Sequence, residues 1–82
     1  MKLTEAINTY VERKRSEGHS YGSSAWYLVN LGKQVGDIAL EGVTAREILT
    51  FLDGPKTSPG TWIAKYRLVR RFFDYWLARG EI

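Results

Sequence analysis

The sequence predicts an all-α fold, a compact bundle of four helices packed at steep angles. Apolar residues recur at steps of three and four along most of the chain, which is the periodicity of helices with one buried face. Capping residues and glycines divide the chain into four such segments. No segment shows the alternation of a strand, and the unequal segment lengths argue against a regular up-and-down bundle.

The composition fits one small domain, residues 1–82, which hides only about 60–65% of its surface on folding. Its core must therefore be dense, and the chain supplies three Trp, three Phe and five Tyr. The absence of cysteine excludes disulfides and thiolate metal sites. There is no apolar run of ~20 residues and no apolar signal segment at the start, so we expect a soluble cytoplasmic protein without membrane contact.

Catalytic chemistry is not evident in the residues. The single histidine, His19, has no acid at metal-ligand spacing, and the glycines form no phosphate-binding loop. A nucleophilic tyrosine would need activating arginines and histidines around the reacting group. The sequence therefore predicts a non-catalytic domain with no metal and no small-molecule cofactor.

The first helix is predicted over residues 1–17, with Thr4 as N-cap, Glu5 at the positive end of the helix dipole and Gly18 as its stop. Its apolar face contains Leu3, Ile7, Tyr10 and Val11 and fades into charge at Lys14. Its last turn carries the basic cluster Arg13, Lys14 and Arg15. Complementarity to the helix dipole explains this cluster more simply than a binding role does.

The second helix is predicted over residues 23–35, capped by Ser20 or Ser23. One stripe contains Ser24, Leu28, Leu31 and Val35, and a second apolar edge contains Trp26 and Val29. A neutral, hydrogen-bonding stripe contains Ser23, Tyr27, Asn30 and Gln34. Serines at a helix start are usually caps, but they are also well placed to donate to a phosphate.

The third helix, residues 45–53, begins with the clearest local signal, a capping box formed by Thr44 and Glu47. We expect it to bury Ile48, Leu49 and Leu52 and to have a structural role. A turn-rich segment, residues 54–60, follows and carries Lys56.

The fourth helix, residues 59–79, is the longest, with Ser58 as its cap, Pro59 in its first turn and Gly80 as its stop. Its predicted core stripe contains Trp62, Tyr66, Val69, Phe73, Trp76 and Leu77. Arg67 and Arg71 lie on the opposite side, with Lys65 and Arg70 near the edges. The alternative for Arg70 is an ion pair with an acid such as Asp74.

Charge is segregated along the chain, whose formal net charge is +3. Residues 56–79 contain six bases and one acid, a balance of +5, whereas residues 37–53 contain four acids and one arginine, a balance of −3. Such segregation indicates either a surface that faces a polyanion or a solvated helix face. Charge alone does not decide between them.

The order of these features resembles the N-terminal core-binding domain, also called the SAM-like domain, of tyrosine recombinases of the phage integrase and Xer type. The serine-rich start of the second helix is followed by Tyr27 and Leu31, and a connector at residues 40–44 leads into the third helix. The fourth helix carries Arg70-Arg71 followed by Phe72 and Phe73, with a Gly80-Glu81-Ile82 exit. The resemblance covers nearly the whole chain and lies in the order and spacing of its motifs.

The resemblance implies a DNA-binding domain that forms one jaw of a clamp on duplex DNA during DNA recombination or DNA integration. The second and fourth helices would approach the major groove, and the catalytic domain, absent from these residues, would follow. Partners would be double-stranded DNA, that catalytic domain and neighbouring protomers on the DNA. The predicted DNA-binding residues are Ser23, Ser24, Tyr27, Lys33, Lys56, Thr57, Thr61, Lys65, Arg67, Arg70 and Arg71.

A different class of function stays open, a small helical protein–protein interaction module. Phe72 and Tyr75 lie off the predicted core stripe of the fourth helix and would form its docking patch. A partner interaction that is insensitive to salt would favour this alternative over DNA binding.

Overall fold

The computed structural model describes residues 1–18, 21–54 and 58–82. Its α-helices are α1 (Leu3–Ser16), α2 (Gly22–Val35), α3 (Ala45–Leu52) and α4 (Pro59–Ala78), with a 3₁₀ turn at Leu40–Gly42. Outside these helices, the β pairing in the described residues is one isolated bridge between Lys2 and Ala39. The Cα radius of gyration is 12.2 Å, close to the roughly 12 Å of a compact chain of this length. The predicted all-α bundle of four helices is confirmed.

Two clusters of buried side chains hold the bundle together. The larger joins α1, α2, the 3₁₀ turn and α4, and its largest members are Leu3, Ile7, Tyr10, Leu28, Leu40, Phe72 and Trp76. The smaller joins α2, α3 and α4 through Leu31, Phe51, Leu52 and Val69. Helices α2 and α4 contribute to both clusters, so they form the common wall of the core and are held beside each other.

The buried stripe of α4 differs from the prediction. The buried residues are Leu68, Val69, Phe72 and Trp76, whereas Tyr66 is 42% exposed and Leu77 is 60% exposed. This helix is aromatic on two adjacent sides, and both sides satisfy a period of 3.6 residues. The prediction chose the side that faces α3, but the deeper contacts are those with α1 and α2.

The ends of α4 follow the sequence signals. The Ser58 side chain accepts a hydrogen bond from the Thr61 backbone N–H at 3.2 Å, and Pro59 occupies the first helical position. Gly80, just past the end, has a φ of 76°, a conformation that glycine adopts without a Cβ penalty.

The caps of α1 and α2 were predicted wrongly. The N-cap of α1 is Lys2, and Thr4 lies inside the helix, where its N–H donates to Asp37 Oδ1 at 3.3 Å. Asp37, which is distant in sequence, thus accepts a hydrogen bond from a backbone N–H in the first turn of α1. Helix α2 begins at Gly22 with Tyr21 as N-cap, so Ser23 is not the cap, and Ser20 lies outside the described residues.

Helix α3 confirms the capping box. The Glu47 N–H donates to Thr44 Oγ1 at 3.2 Å, and the Thr44 N–H donates to Glu47 Oε1 at 3.0 Å. The predicted burial of Leu49 is wrong, because Leu49 is 51% exposed while Phe51 is buried. The helix has only eight residues, so its contact with α4 is short.

Replacing Thr44 by alanine should lower the free energy of unfolding by about 1 kcal/mol, because the Glu47 N–H loses its acceptor and the Glu47 carboxylate loses the hydroxyl that donates to it. Thr44→Ser keeps the hydroxyl and should cost less than half as much. Urea unfolding followed by circular dichroism measures both variants. Equal losses for the two would show that the methyl group, rather than the cap, matters at this position.

Candidate nucleic-acid interface

The first turn of α2 and the middle of α4 lie side by side and enclose a small polar pocket with the end of α1. Its volume is about 210 Å³. It is lined by Tyr10, Lys14, Tyr21, Ser24, Ala64, Leu68 and Arg71. The structure therefore brings together Ser24 and Arg71, two of the predicted DNA-binding residues, although 47 positions separate them in the sequence.

Arg67 and Arg71 lie one turn apart on the exposed side of α4. Neither forms an ion pair with another residue in the described part of the chain. Ser23 is also exposed, at the start of the adjacent α2. These residues form a solvent-facing surface with two uncompensated cations, and we call Ser23, Ser24, Arg67 and Arg71 the basic face.

Lys65 differs from these arginines because its ammonium group is turned toward the protein. Its Nζ donates to the Phe51 carbonyl at 3.3 Å and lies 4.8 Å from the centre of the Phe51 ring. It also lies 5.8 Å from the centre of the ring of Tyr27, which is half-buried. Lys65 thus ties α4 to α3 and α2, which limits its reach toward a ligand.

The remaining predicted residues are dispersed. Thr61 belongs to the cap of α4, where its hydroxyl accepts from Ser58 Oγ at 3.0 Å. Arg70 lies 3.8 Å from the Asp74 carboxylate, as the sequence interpretation allowed. Lys33 lines a separate groove at the far end of α2. Lys56 and Thr57 lie outside the described residues.

Lys14 and Tyr21 line the polar pocket but were not predicted as site residues. The position of Lys14 was a usable signal, because it lies four residues after the buried Tyr10 and therefore on the same side of α1. The basic cluster was attributed to the helix dipole, since the sequence does not show where α4 lies.

The Tyr21 hydroxyl reports on the electrostatics of the pocket. Burial and the neighbouring Tyr10 hydroxyl raise the pKa of Tyr21, and the Arg71 guanidinium lowers it. Arg71 and Tyr21 line the same pocket, which accounts for this influence of the guanidinium on the hydroxyl. With the pKa raised overall, Tyr21 is a protonated hydroxyl at neutral pH.

A second concave surface lies between α3 and α4 and is largely apolar, with a volume of about 400 Å³. Its lining includes Leu49, Trp62, Tyr66 and Phe73, with the Arg70–Asp74 pair at its edge. The docking patch predicted from the sequence is different and wrong. Phe72 is fully buried, and Tyr75 is half-buried against Tyr10 and Arg79.

Comparison with known proteins finds no match for this chain. No family model matches the chain, and neither a curated protein nor a solved structure matches it. Among the described residues, no helix is both long and apolar enough to cross a membrane. The same residues contain no cluster of three or more His, Cys, Asp or Glu side chains that would hold a metal ion.

Proposed function

We propose that this chain is the SAM-like core-binding domain of a tyrosine-type site-specific recombinase or integrase, and that it clamps duplex DNA through its basic face. The observation that carries the proposal is the position of Arg71 beside the first turn of α2, with Arg67 one turn earlier on the same exposed side of α4. Chemistry beyond binding is assigned to a separate catalytic domain, so the domain itself is a non-catalytic module.

The basic face suits phosphate groups better than base edges. Arg67 and Arg71 offer planar, permanently charged donor groups, which match phosphate oxygens. Ser23 and Ser24 add hydroxyl donors at a helix start, where backbone N–H groups favour anions. Such contacts position a protein on DNA, whereas contacts with base edges carry the sequence preference.

The structure narrows the way in which α2 can contribute. Leu28 is buried and Val29 is 41% exposed on the side away from the basic face, where it lines grooves against α1. Contacts of α2 with DNA therefore run through its first turn, Ser23 and Ser24, and through the edge of Tyr27. Lys33, at the other end of the helix, has at most a peripheral role in this proposal.

The apolar groove between α3 and α4 supports a second candidate function, a protein–protein interaction module. Leu49 and Tyr66 are about half exposed there, and exposed apolar side chains that line a concave surface are typical of docking sites. The groove and the basic face lie on different sides of α4, so one domain can use both. Dependence on salt separates them, because apolar docking survives a salt concentration that weakens phosphate contacts.

Titration of the ¹⁵N-labelled domain with a short random-sequence duplex at two salt concentrations tests the proposal. With about three to four phosphates neutralised, log K should fall against log salt with a slope of about −2.7 to −3.6. The dissociation constant should lie in the ~10⁻⁴–10⁻⁶ M range of non-specific binding. Shifts should concentrate on the first turn of α2 and on residues 64–71.

Two results would count against this function. One is the absence of shifts at low salt, and the other is a set of shifts that is insensitive to salt and confined to the α3–α4 groove. The second result would favour the protein-interaction module.

A further inference from the structure

The polar pocket differs from the rest of the basic face because three helices build it. Lys14 comes from the last turn of α1, Ser24 from the first turn of α2 and Arg71 from the middle of α4. Residues carrying two cations therefore line one concavity, together with Tyr10 and Tyr21. A flat solvated helix face, the alternative explanation of the charge pattern, would not bring these cations together.

The charges around the pocket leave it positive. The Lys14 Nζ lies 3.8 Å from Glu17 Oε1, which is longer than a hydrogen bond, and 5.4 Å from the centre of the Tyr10 ring. Glu17 also accepts from Arg13 Nε at 3.3 Å, so its carboxylate is shared. Arg71 has no acidic partner among the described residues. The Glu17 carboxylate is thus shared between Lys14 and Arg13, so it does not neutralise Lys14 alone.

The size of the pocket fits a small tetrahedral anion. Its volume of about 210 Å³ compares with ~30 Å³ for one water molecule in the liquid, so an oxyanion and a few waters fit. Arginine offers a pair of parallel donors, lysine a point charge and serine a hydroxyl. This donor set, with no carboxylate among the described residues of the wall, matches a phosphate group and not a cation.

We infer that the pocket binds one phosphate group between Lys14 and Arg71, with Ser24 donating to it, and that on DNA this group is a backbone phosphodiester. The second half of this inference rests on the proposed function, whereas the first half does not. The pocket would fix the angle between α1 and the DNA, which the exposed Arg67 alone cannot do. Lys14 would be a binding residue on a helix to which the sequence interpretation gave no such role.

Paired methionine variants in the last turn of α1 test the DNA half. Lys14→Met removes the charge but keeps an aliphatic stem over Tyr10, and Arg15→Met is its match, because Arg15 lines the groove on the other side of α1. Losing one phosphate contact should flatten the salt slope by about 0.9 and weaken duplex binding about eightfold at 0.1 M salt. Arg15→Met should change the slope much less, and Lys14→Arg should retain most of the affinity.

Titration with inorganic phosphate at constant ionic strength tests the pocket without DNA. Saturable amide shifts at Ser23 and Ser24 are expected, and Lys14→Met and Arg71→Ala should each weaken them about tenfold, the usual effect of losing one charged hydrogen bond. Thermal melting of each variant confirms that it folds. The same titration of Arg15→Met should match the unmodified protein.

The outcomes of the two experiments are distinguishable. If the duplex binds and Lys14→Met behaves like Arg15→Met in both titrations, the pocket is not a phosphate site, although the proposed function survives. If inorganic phosphate binds in the pocket and the duplex does not bind at all, the site takes free phosphate and the proposed function fails. If neither ligand binds, both proposals are overturned.

Discussion

Phe72→Ala is expected to lower the free energy of unfolding by about 3–5 kcal/mol, the largest stability effect of a single substitution in this chain. Phe72 is fully buried, with its ring centre 5.3 Å from that of Tyr10 and 5.2 Å from that of Phe73. It joins α4 to α1 and α2, so truncation leaves a cavity at the centre of the larger cluster. The total free energy of unfolding of a small domain is only about 5–15 kcal/mol, so this substitution would remove a large part of it.

Urea unfolding followed by circular dichroism measures this loss, and Leu77→Ala is the matched control. Leu77 belonged to the predicted core stripe but is 60% exposed, so its truncation should stay within about 0.5 kcal/mol of the unmodified protein. If Leu77→Ala lost as much stability as Phe72→Ala, the burial of the Phe72 side alone would be contradicted, because the predicted Leu77 side would also have to be buried. The sequence assigned Phe72 to an exposed docking patch. If that were its only role, Phe72→Ala would cause little loss of stability.

Arg67→Ala combined with Arg71→Ala is expected to have the largest effect on DNA binding. Losing two phosphate contacts should flatten the slope of log K against log salt by about 1.8. The same two contacts correspond to about a 60-fold loss of affinity at 0.1 M salt. The loss should be similar for duplexes of unrelated sequence, because phosphate contacts do not read the bases.

The control for this double variant is Arg15→Ala combined with Arg46→Ala, which changes the net charge by the same amount. Arg46 lies on α3 beside Glu47 and Thr50, away from the basic face. Fluorescence anisotropy with a labelled duplex at four or five salt concentrations gives both slopes. Equal slopes for the two double variants would mean that net charge alone causes the effect. An unchanged affinity of the Arg67→Ala, Arg71→Ala variant would show that the basic face does not bind DNA.

Several signals that act within a few residues were predicted correctly from the sequence, although the caps of α1 and α2 were not. The capping box at Thr44 and Glu47 and the Ser58 cap are each satisfied by atoms three positions apart. The stops at Gly18 and Gly80 follow from a positive φ that glycine adopts without strain. The Arg70–Asp74 pair follows from helical spacing alone.

Features that depend on a neighbouring helix were predicted less well. Asp37 supplies an acceptor at the start of α1 from 33 positions away, and no local pattern reveals that contact. Lys65 looked like a surface cation, but α3 places the Phe51 carbonyl and ring within its reach. Lys14 looked like a dipole partner, but α4 places Arg71 on the other side of the same pocket.

The sequence by itself determined the fold class, the approximate helix bounds and the presence of two exposed arginines on the longest helix, because these depend on backbone periodicity and on capping chemistry. Only the tertiary structure decided which of two aromatic sides of α4 is buried. Both sides satisfy the helical period, and the choice depends on the positions of α1 and α2. The same packing selected Ser24, Lys14 and Arg71 as neighbours, since a pocket built from three helices is a property of their arrangement and not of any one segment.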